Sequence, residues 1–155
     1  MSDEQQLRRA IALAVSNARS GGGPFGATVV RDGDVLADGV NEVVRSADPT
    51  AHAEIAAIRA ACRATGSHLL TGATLYASTE PCPMCLAAAW WARVERIVFA
   101  AGREQAAAAG FDDEDVYAEI AAPAGARRLP IVRLLPDEGH APFAAWAANP
   151  DREPY

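Results

Sequence analysis

Two short segments decide how this sequence folds and what it can bind: HAE at residues 52–54 and PCPMC at residues 81–85. Together they provide one imidazole, from His52, and two thiols, from Cys82 and Cys85. These are ligand types that zinc prefers in proteins. Three protein ligands leave the fourth position of a tetrahedral zinc site open for water, as in catalytic sites. We therefore expect one zinc ion per chain.

Glu54 distinguishes a catalytic zinc site from a structural one. Its carboxylate stands two residues after the histidine, where it can exchange protons with an activated water. A closed structural site, with His68, His140 or Cys62 as fourth ligand, does not need this glutamate. A redox pair of the two PCPMC cysteines is a second alternative, although the flanking prolines are not typical of thioredoxin-like sequences. Cys62, in an alanine-rich stretch, is interpreted as a small core residue.

Strands and helices alternate around these two segments. β-rich runs predict five strands, at residues 25–31, 35–40, 74–78, 96–100 and 131–135. Helical spacing of apolar residues predicts helices at residues 7–18, from about 51 to 65, and at 83–91, 112–121 and 143–148. The first helix follows a capping box, SDEQ at residues 2–5. This alternation predicts a layered α/β sandwich, and the length fits a single domain over residues 1–155.

Composition and charge indicate a globular protein that does not bind nucleic acid. Hydrophobic residues make up 50% and charged residues 22% of the 155 residues, close to globular averages. Twenty acidic residues against fourteen arginines give a net charge of −6, which repels phosphate backbones. The first residues, MSDEQQ, lack a signal-peptide pattern, and no apolar run reaches membrane-spanning length. We therefore expect a cytoplasmic protein with neither a nucleic-acid nor a membrane partner.

The combination of HxE with PCxxC resembles the signature of the cytidine deaminase-like nucleobase deaminases. The resemblance implies an α/β fold, a cytidine deaminase-like three-layer αβα sandwich with a central mixed five-stranded sheet. Five further segments resemble the bacterial guanine deaminases: GPFGA, DPTAHAE, WAR, GFDD and EPY, at residues 23–27, 48–54, 91–93, 110–113 and 153–155. This resemblance covers almost the whole chain and implies a small-molecule purine substrate.

The resemblance to guanine deaminases also implies a mechanism and a set of site residues. An activated water attacks C2 of guanine, Glu54 carries the proton to N3, and Asp113 assists the departing ammonia, which leaves xanthine. Asn41 is implied to hydrogen-bond the purine. The other implied substrate-binding residues are Phe25, Trp91, Tyr155, Glu80 and Glu138.

Taken without the resemblance, several of these residues have simpler interpretations. Phe25 and Trp91 equally fit core packing. Asp113 fits the favourable place of an acid at a helix N-terminus. Tyr155 fits a frayed chain end.

A homodimer with a swapped C-terminal segment, about residues 106–155, is the last feature that the resemblance implies. Asp113 and Tyr155 would then complete the site of the partner subunit, with the alanine-rich residues 106–110 as a hinge.

Other activities stay open at this point. They are deamination of an aminotriazine such as ammeline, of cytosine, of a nucleoside or of adenosine in tRNA, and binding of purines by a zinc module without turnover. The acidic charge argues against tRNA, and Glu54 argues against loss of turnover.

Overall fold

The computed structural model describes residues 2–154, which form two compact units. The first unit ends at Asp113 and the second begins at Glu114. The helices of the first unit are α1 (Asp3–Arg19), α2 (Val43–Ser46), α3 (Ala53–Thr65), α4 (Pro83–Trp91) and α5 (Arg103–Ala108), and its strands are β1 (Gly26–Arg31), β2 (Asp34–Val40), β3 (Ala73–Thr79) and β4 (Arg96–Ala101). The second unit contains α6 (Glu114–Ala121), α7 (Ala141–Ala148) and two short 3₁₀ helices, Ala124–Ala126 and Glu138–His140.

The sheet of the first unit is mixed and has the order β2-β1-β3-β4. β1 runs antiparallel to both β2 and β3, whereas β3 and β4 are parallel. A parallel pair needs a crossover connection, and α4 supplies it. The α/β architecture and the mixed sheet are thus confirmed. Within residues 2–154, every helix is too short or too polar to span a lipid bilayer.

The prediction of a fifth strand is wrong: within residues 2–154 the sheet has four strands. Residues 131–135 lie in the second unit, where their backbone has no regular secondary structure. Val132 in this stretch is 75% exposed. A β-rich sequence becomes a strand only where a neighbouring strand pairs its backbone N–H and C=O groups, and the described residues offer this stretch no such neighbour.

Helices cover both faces of the sheet. Ala27 and Val29 of β1 face one side, where they pack in a core with α3 and α4 residues. Val30 faces the other side and packs with Ala10 of α1 and Tyr76 of β3. This alternation follows from the two-residue period of a strand. The first unit is therefore a three-layer αβα sandwich, as predicted.

Two glycines let the helices lie directly against the strands. A Cβ added at Gly39 of β2 would lie 2.2 Å from the carbonyl oxygen of Ala53 in α3. A Cβ added at Gly26 of β1 would lie 2.4 Å from the carbonyl oxygen of Ala10 in α1. Neither position has room for a side chain, so the backbones of α1 and α3 are fixed at short range to the sheet.

Three local features differ from the predicted elements. The second predicted helix begins at Ala53 instead of about residue 51, because Asp48 accepts hydrogen bonds from Thr50 and forms a turn before it. The helices α2 and α5 were not predicted from the sequence. Because α5 includes residues 106–108, the stretch interpreted as a hinge is partly helical, and the chain turns at Gly110 with φ of 92°.

Candidate active site

His52 is placed by the turn that precedes α3. The Oδ1 atom of Asp48 accepts hydrogen bonds from the backbone N–H and the hydroxyl of Thr50, at 2.8 and 2.7 Å. The backbone N–H of His52 donates in turn to the carbonyl of Thr50, at 2.8 Å. His52 is the N-cap of α3, so its imidazole stands at the start of the helix.

The two cysteines are placed by the start of α4, just beyond the carboxyl end of β3. Cys82 is the N-cap, and Pro83 is the first helical residue, where the fixed φ of proline favours helix initiation. Cys85 is buried in the first turn. Residues three apart at a helix start lie on the same face, which brings both sulfur atoms together.

His52, Cys82 and Cys85 form a compact group of metal ligands. The Nδ1 atom of His52 lies 3.5 Å from the sulfur of Cys82 and 3.5 Å from that of Cys85, and the three ligand atoms lie within 4.8 Å of one another. Tetrahedral zinc with ordinary Zn–N and Zn–S bond lengths requires an N···S separation of about 3.6 Å. The group therefore has the donor types and the spacing that one zinc ion needs.

The described residues supply three metal ligands at this place. Among residues 2–154, no fourth histidine, cysteine or acidic side chain joins it. Cys62, which was one candidate for a fourth ligand, packs instead against the apolar core. Three protein ligands with a remaining position for water are typical of catalytic zinc sites.

Ionisation of the two thiols is coupled in this geometry. The hydrogen bond with Cys85 lowers the pKa of Cys82 to about 4. The same bond, together with burial, raises the pKa of Cys85 far above its usual range. A bound divalent cation would displace the remaining thiol proton, because such a cation binds thiolates.

Glu54 lies in the first turn of α3, beside the ligand group. Its side chain is only 7% exposed, and burial raises the pKa of its carboxyl, with a further contribution from the Cys82 thiolate. A glutamate with a raised pKa takes up a proton near neutral pH more readily than an exposed one. The geometry thus provides a proton carrier next to the metal ligands.

Asn41 and Phe25, two residues predicted to bind the purine, are brought together. The backbone N–H of Asn41 donates to the carbonyl of Phe25, at 3.1 Å. The next residue, Glu42, donates its backbone N–H to the carbonyl of Ala51, at 2.9 Å, and Ala51 directly precedes His52. The backbone of Asn41 is therefore tied to the segment that carries the first metal ligand.

Phe25 has an aromatic partner that the sequence analysis did not predict. The rings of Phe25 and Phe111 are 4.9 Å apart at their centroids and nearly perpendicular, at 87°, which is a favourable aromatic geometry. Phe111 belongs to the GFDD segment. The same segment ends at Asp113, whose carboxylate accepts a hydrogen bond from Arg103 at 3.2 Å.

The remaining predicted residues are more scattered. Glu80 follows β3, and its backbone N–H donates to the carbonyl of Ala101. Trp91 ends α4 and is 59% exposed; nine helical residues place it about 13 Å along the axis from the Cys82 end. Glu138 is an exposed residue of the second unit. Tyr155 lies outside the described residues.

Comparison with known proteins assigns the family. The family described as "Cytidine and deoxycytidylate deaminase zinc-binding region" matches residues 1–101. The chain belongs to this family. Among the zinc-binding deaminases, guanine deaminase from Bacillus subtilis (strain 168) is 46% identical over 156 residues, which cover 100% of both chains.

Solved structures of deaminases agree with the assignment. The crystal structure of the Bacillus subtilis guanine deaminase matches with a TM-score of 0.97 and covers 100% of this chain and 99% of that chain. The guanine deaminase from Nitrosomonas europaea is 33% identical and matches with a TM-score of 0.70, over 73% of this chain and 66% of that chain. The cytidine deaminase-like fold is thus confirmed.

Other deaminases of the family match over less of the chain. A tRNA-specific adenosine deaminase from Agrobacterium fabrum is 48% identical over 93 residues, which cover 57% of this chain and 61% of that protein. The similarity to the guanine deaminase of Bacillus subtilis extends over the full length of the chain. The similarity to the tRNA-specific adenosine deaminase covers 57% of the chain.

Proposed function

We propose that this chain catalyses the hydrolytic deamination of guanine to xanthine and ammonia. The observation that carries the proposal is the group of three metal ligands with the buried carboxyl of Glu54 beside it. The group has the donor types of a catalytic zinc site, and the carboxyl supplies a proton carrier. The full-length similarity to a guanine deaminase supports the choice of substrate.

The reaction needs water to be activated and protons to be moved. Zinc held by His52, Cys82 and Cys85 would supply a Lewis acid that lowers the pKa of water to about 7. Glu54 accepts a proton as the water oxygen bonds to C2 of guanine, and returns it to N3. Glu54 then takes the proton of the new C2 hydroxyl and delivers it to the amino group. The C2–N bond breaks as the C2=O bond forms, and ammonia leaves. Water and guanine thus become xanthine and ammonia, without oxidation or reduction.

Residues around the ligand group are proposed to hold the purine. Asn41 provides an amide that can donate and accept hydrogen bonds along the edge of the base. Phe25, braced edge-on by Phe111, provides an aromatic surface. Asp113 is proposed to assist the departure of ammonia. Further substrate contacts predicted from the sequence are those of Glu80, Trp91, Glu138 and Tyr155.

A panel of amino-substituted bases tests this function. Purified, zinc-loaded protein is incubated with guanine, ammeline, cytosine, cytidine and a tRNA anticodon stem-loop, and ammonia and deaminated product are measured. We expect turnover of guanine to xanthine, loss of turnover on chelation and recovery on addition of zinc. Release of ammonia from cytosine but not from guanine would overturn the substrate and leave the zinc chemistry intact.

Adenosine in tRNA is the second candidate substrate, because the Agrobacterium fabrum tRNA deaminase shares 48% identity with part of the chain. The net charge of −6 opposes it, since binding a polyanion requires a basic surface. Inosine formation in the stem-loop, without xanthine from guanine, would favour this candidate.

A swapped homodimer is also part of the proposal. None of the described residues of the second unit is buried. Apolar side chains of this unit are largely in solvent, among them those of Ile131, Val132, Leu134, Phe143 and Trp146. A segment of about forty residues rarely folds stably without a partner surface, and a second copy of this chain is the partner that the family resemblance implies.

The predicted cytoplasmic location stays a prediction.

Mixed dimers test the swap. Glu54→Ala and Asp113→Ala homodimers should each be inactive. After joint refolding, about half of the dimers are mixed, and one of their two sites combines an intact Glu54 with an intact Asp113 from the other chain. About a quarter of the wild-type activity should then return. Mixed dimers detected by mass without recovered turnover would show that Asp113 acts within its own chain or pairs only with Arg103.

A further inference from the structure

Asn17 is a polar residue on the buried face of a helix. It follows Gln6, Ala10 and Ala14 on the inner face of α1, and it is 5% exposed. A buried polar side chain is costly unless its hydrogen bonds are satisfied. The amide of Asn17 therefore needs hydrogen-bond partners inside the first unit.

The amide of Asn17 joins three separate parts of the first unit. Its Nδ2 donates to the carbonyl of Asn41 at 2.7 Å and to the carbonyl of Gly23 at 2.9 Å. Its Oδ1 accepts from the guanidinium of Arg45, at 3.3 Å. Two carbonyl acceptors on one side and a cation on the other require this orientation of the amide. Both N–H groups and the oxygen are thus used.

Two adjacent glycines make room for the side chains of Asn17 and Asn41. A Cβ added at Gly22 would lie 2.5 Å from the Nδ2 of Asn17. A Cβ added at Gly23 would lie 2.6 Å from the Oδ1 of Asn41. The two glycines therefore leave the space that the two amides occupy, and a methyl group at either glycine would displace one of them.

Three hydrogen bonds, two on the backbone and one on the side-chain oxygen, hold Asn41 in place. Its backbone N–H donates to the carbonyl of Phe25, its backbone carbonyl accepts from Asn17, and its Oδ1 accepts from the N–H of Val43 at 3.3 Å. Of these, the bond from Asn17 is the shortest, and it connects Asn41 to α1. Loss of it would free the backbone that orients the amide of Asn41.

We propose that Asn17 is a positioning residue for guanine binding, acting through Asn41 without touching the substrate. This inference rests on the proposed function. The side chain of Asn17 sets the direction of the Asn41 amide at the start of the ligand-bearing segment, so it contributes to guanine affinity. The bond-making steps at C2 depend on Glu54 and the ligand group, and Asn17 has no part in them. We therefore expect loss of the Asn17 amide to raise KM for guanine and to leave kcat nearly unchanged.

The test compares guanine kinetics of Asn17→Asp with those of the wild type. The substitution keeps the size and replaces the donor amide by an oxygen that faces two carbonyls. We expect KM to rise at least about tenfold, with kcat within about threefold and zinc content unchanged. Gly22→Ala, which displaces Asn17 by a methyl group, should raise KM in the same direction. This second variant keeps the test decisive if Asn17→Asp does not fold.

Gln6→Leu is the matched control. Gln6 lies on the same face of α1, is 1% exposed, and its side-chain amide has no hydrogen-bond partner in the described structure. Its replacement removes a buried amide of the same helix, so KM should stay at the wild-type value. A rise in KM for Gln6→Leu equal to that for Asn17→Asp would show a general effect of α1 packing and would overturn the proposal.

A double-mutant cycle tests the route through Asn41. In an Asn41→Ala background, Asn17→Asp should add less than about twofold to KM, because the amide that it positions is already gone. Independent, multiplying effects would overturn the proposal. Failure of the wild type to deaminate guanine would overturn the proposed function and this inference together, whereas wild-type turnover with unchanged KM in Asn17→Asp would overturn this inference alone.

Discussion

The two units of the chain differ in what holds their residues in place. In the first unit, helices lie on both sides of a sheet and meet it at glycines that have no room for a side chain. In the second unit, no described residue is buried, and its α-helices have only eight residues each, which is short for stability without packing. The metal ligands and Glu54 lie in the first unit. The fixed geometry that catalysis requires is therefore supplied where the chain packs against itself.

The largest difference between the two units is expected in kcat, when one glutamate in each unit is replaced by glutamine. Glu54→Gln should keep the zinc content and the fold but lose about a hundred- to ten-thousandfold in kcat, because an amide cannot carry protons. Glu138→Gln, in the second unit, should lose less than about tenfold, since Glu138 is predicted only to contact the substrate. Stopped assays for xanthine, with zinc measured on the same samples, decide the point. More than about a tenth of wild-type kcat in Glu54→Gln would reject Glu54 as the proton carrier.

Two glycine substitutions compare the packing of the units directly. Gly39→Ala forces a methyl group against the backbone of α3, whose start carries His52. We expect a loss of about 1–3 kcal/mol or more in the free energy of unfolding, together with weaker zinc retention. Gly125→Ala, in the second unit, meets no atom within 4 Å and should change stability by less than about 0.5 kcal/mol. Urea denaturation of zinc-loaded protein measures both. Equal effects would contradict the difference in packing.

Most of the first unit could be predicted from the sequence because its signals are local. The capping box at Ser2 and Gln5 is formed as predicted. Pro83 and the two cysteines stand at a helix start for reasons contained in a few residues. The cytidine deaminase-like fold followed from the same motifs and is confirmed by the comparison with solved structures.

The parts that could not be predicted depend on distant partners. Residues 131–135 have the composition of a strand, but only a neighbouring strand makes one. The contact of Phe25 with Phe111 and the pairing of Asp113 with Arg103 join residues far apart or outside any motif. No apolar pattern in the sequence pointed to Asn17, because Ile11 and Val15, two of the regularly spaced apolar residues of α1, are 39% and 44% exposed, whereas Asn17 is 5% exposed. Its three partners are set by tertiary structure.

Exposed valines test whether the second unit needs a partner surface. Val132→Asp places a charge in an apolar stretch of the second unit, and we expect the dissociation constant of the proposed dimer to rise at least about tenfold. Val44, in α2 of the first unit, is 88% exposed, and Val44→Asp should leave self-association unchanged. Sedimentation velocity over a range of concentrations measures both. A Val132→Asp protein that associates like the wild type would remove the support for a docking role of this stretch.

The smallest effect is expected when two ion pairs, one in each unit, are disrupted by substitution or by acidic pH. Arg9 of α1 pairs with Asp38 of β2, at 2.8 Å from Nε to Oδ1, and this hydrogen bond lowers the pKa of Asp38. A carboxyl with a lowered pKa in the folded state stabilises that state above its unfolded pKa of about 3.9. This stability is lost as the pH falls through the folded pKa. Because the pair is partly exposed, its contribution is about 0.2–1 kcal/mol.

Asp38→Asn should therefore lower the free energy of unfolding by this small amount at pH 7. The difference from the wild type should shrink as the pH falls below the unfolded pKa of about 3.9 and through the lowered pKa of Asp38 in the folded state. The control is the ion pair of Arg128 with Asp115 in the second unit, where the hydrogen bond from Arg128 lowers the pKa of Asp115. Because this pair joins residues of the second unit only, Asp115→Asn should leave the unfolding of the first unit unchanged at any pH. Urea titrations at pH 7, 5, 4 and 3 measure both variants, and 1 M salt should reduce the Asp38 effect by screening. A difference for Asp38→Asn that persists undiminished to pH 3 would show that the carboxylate charge is not its source.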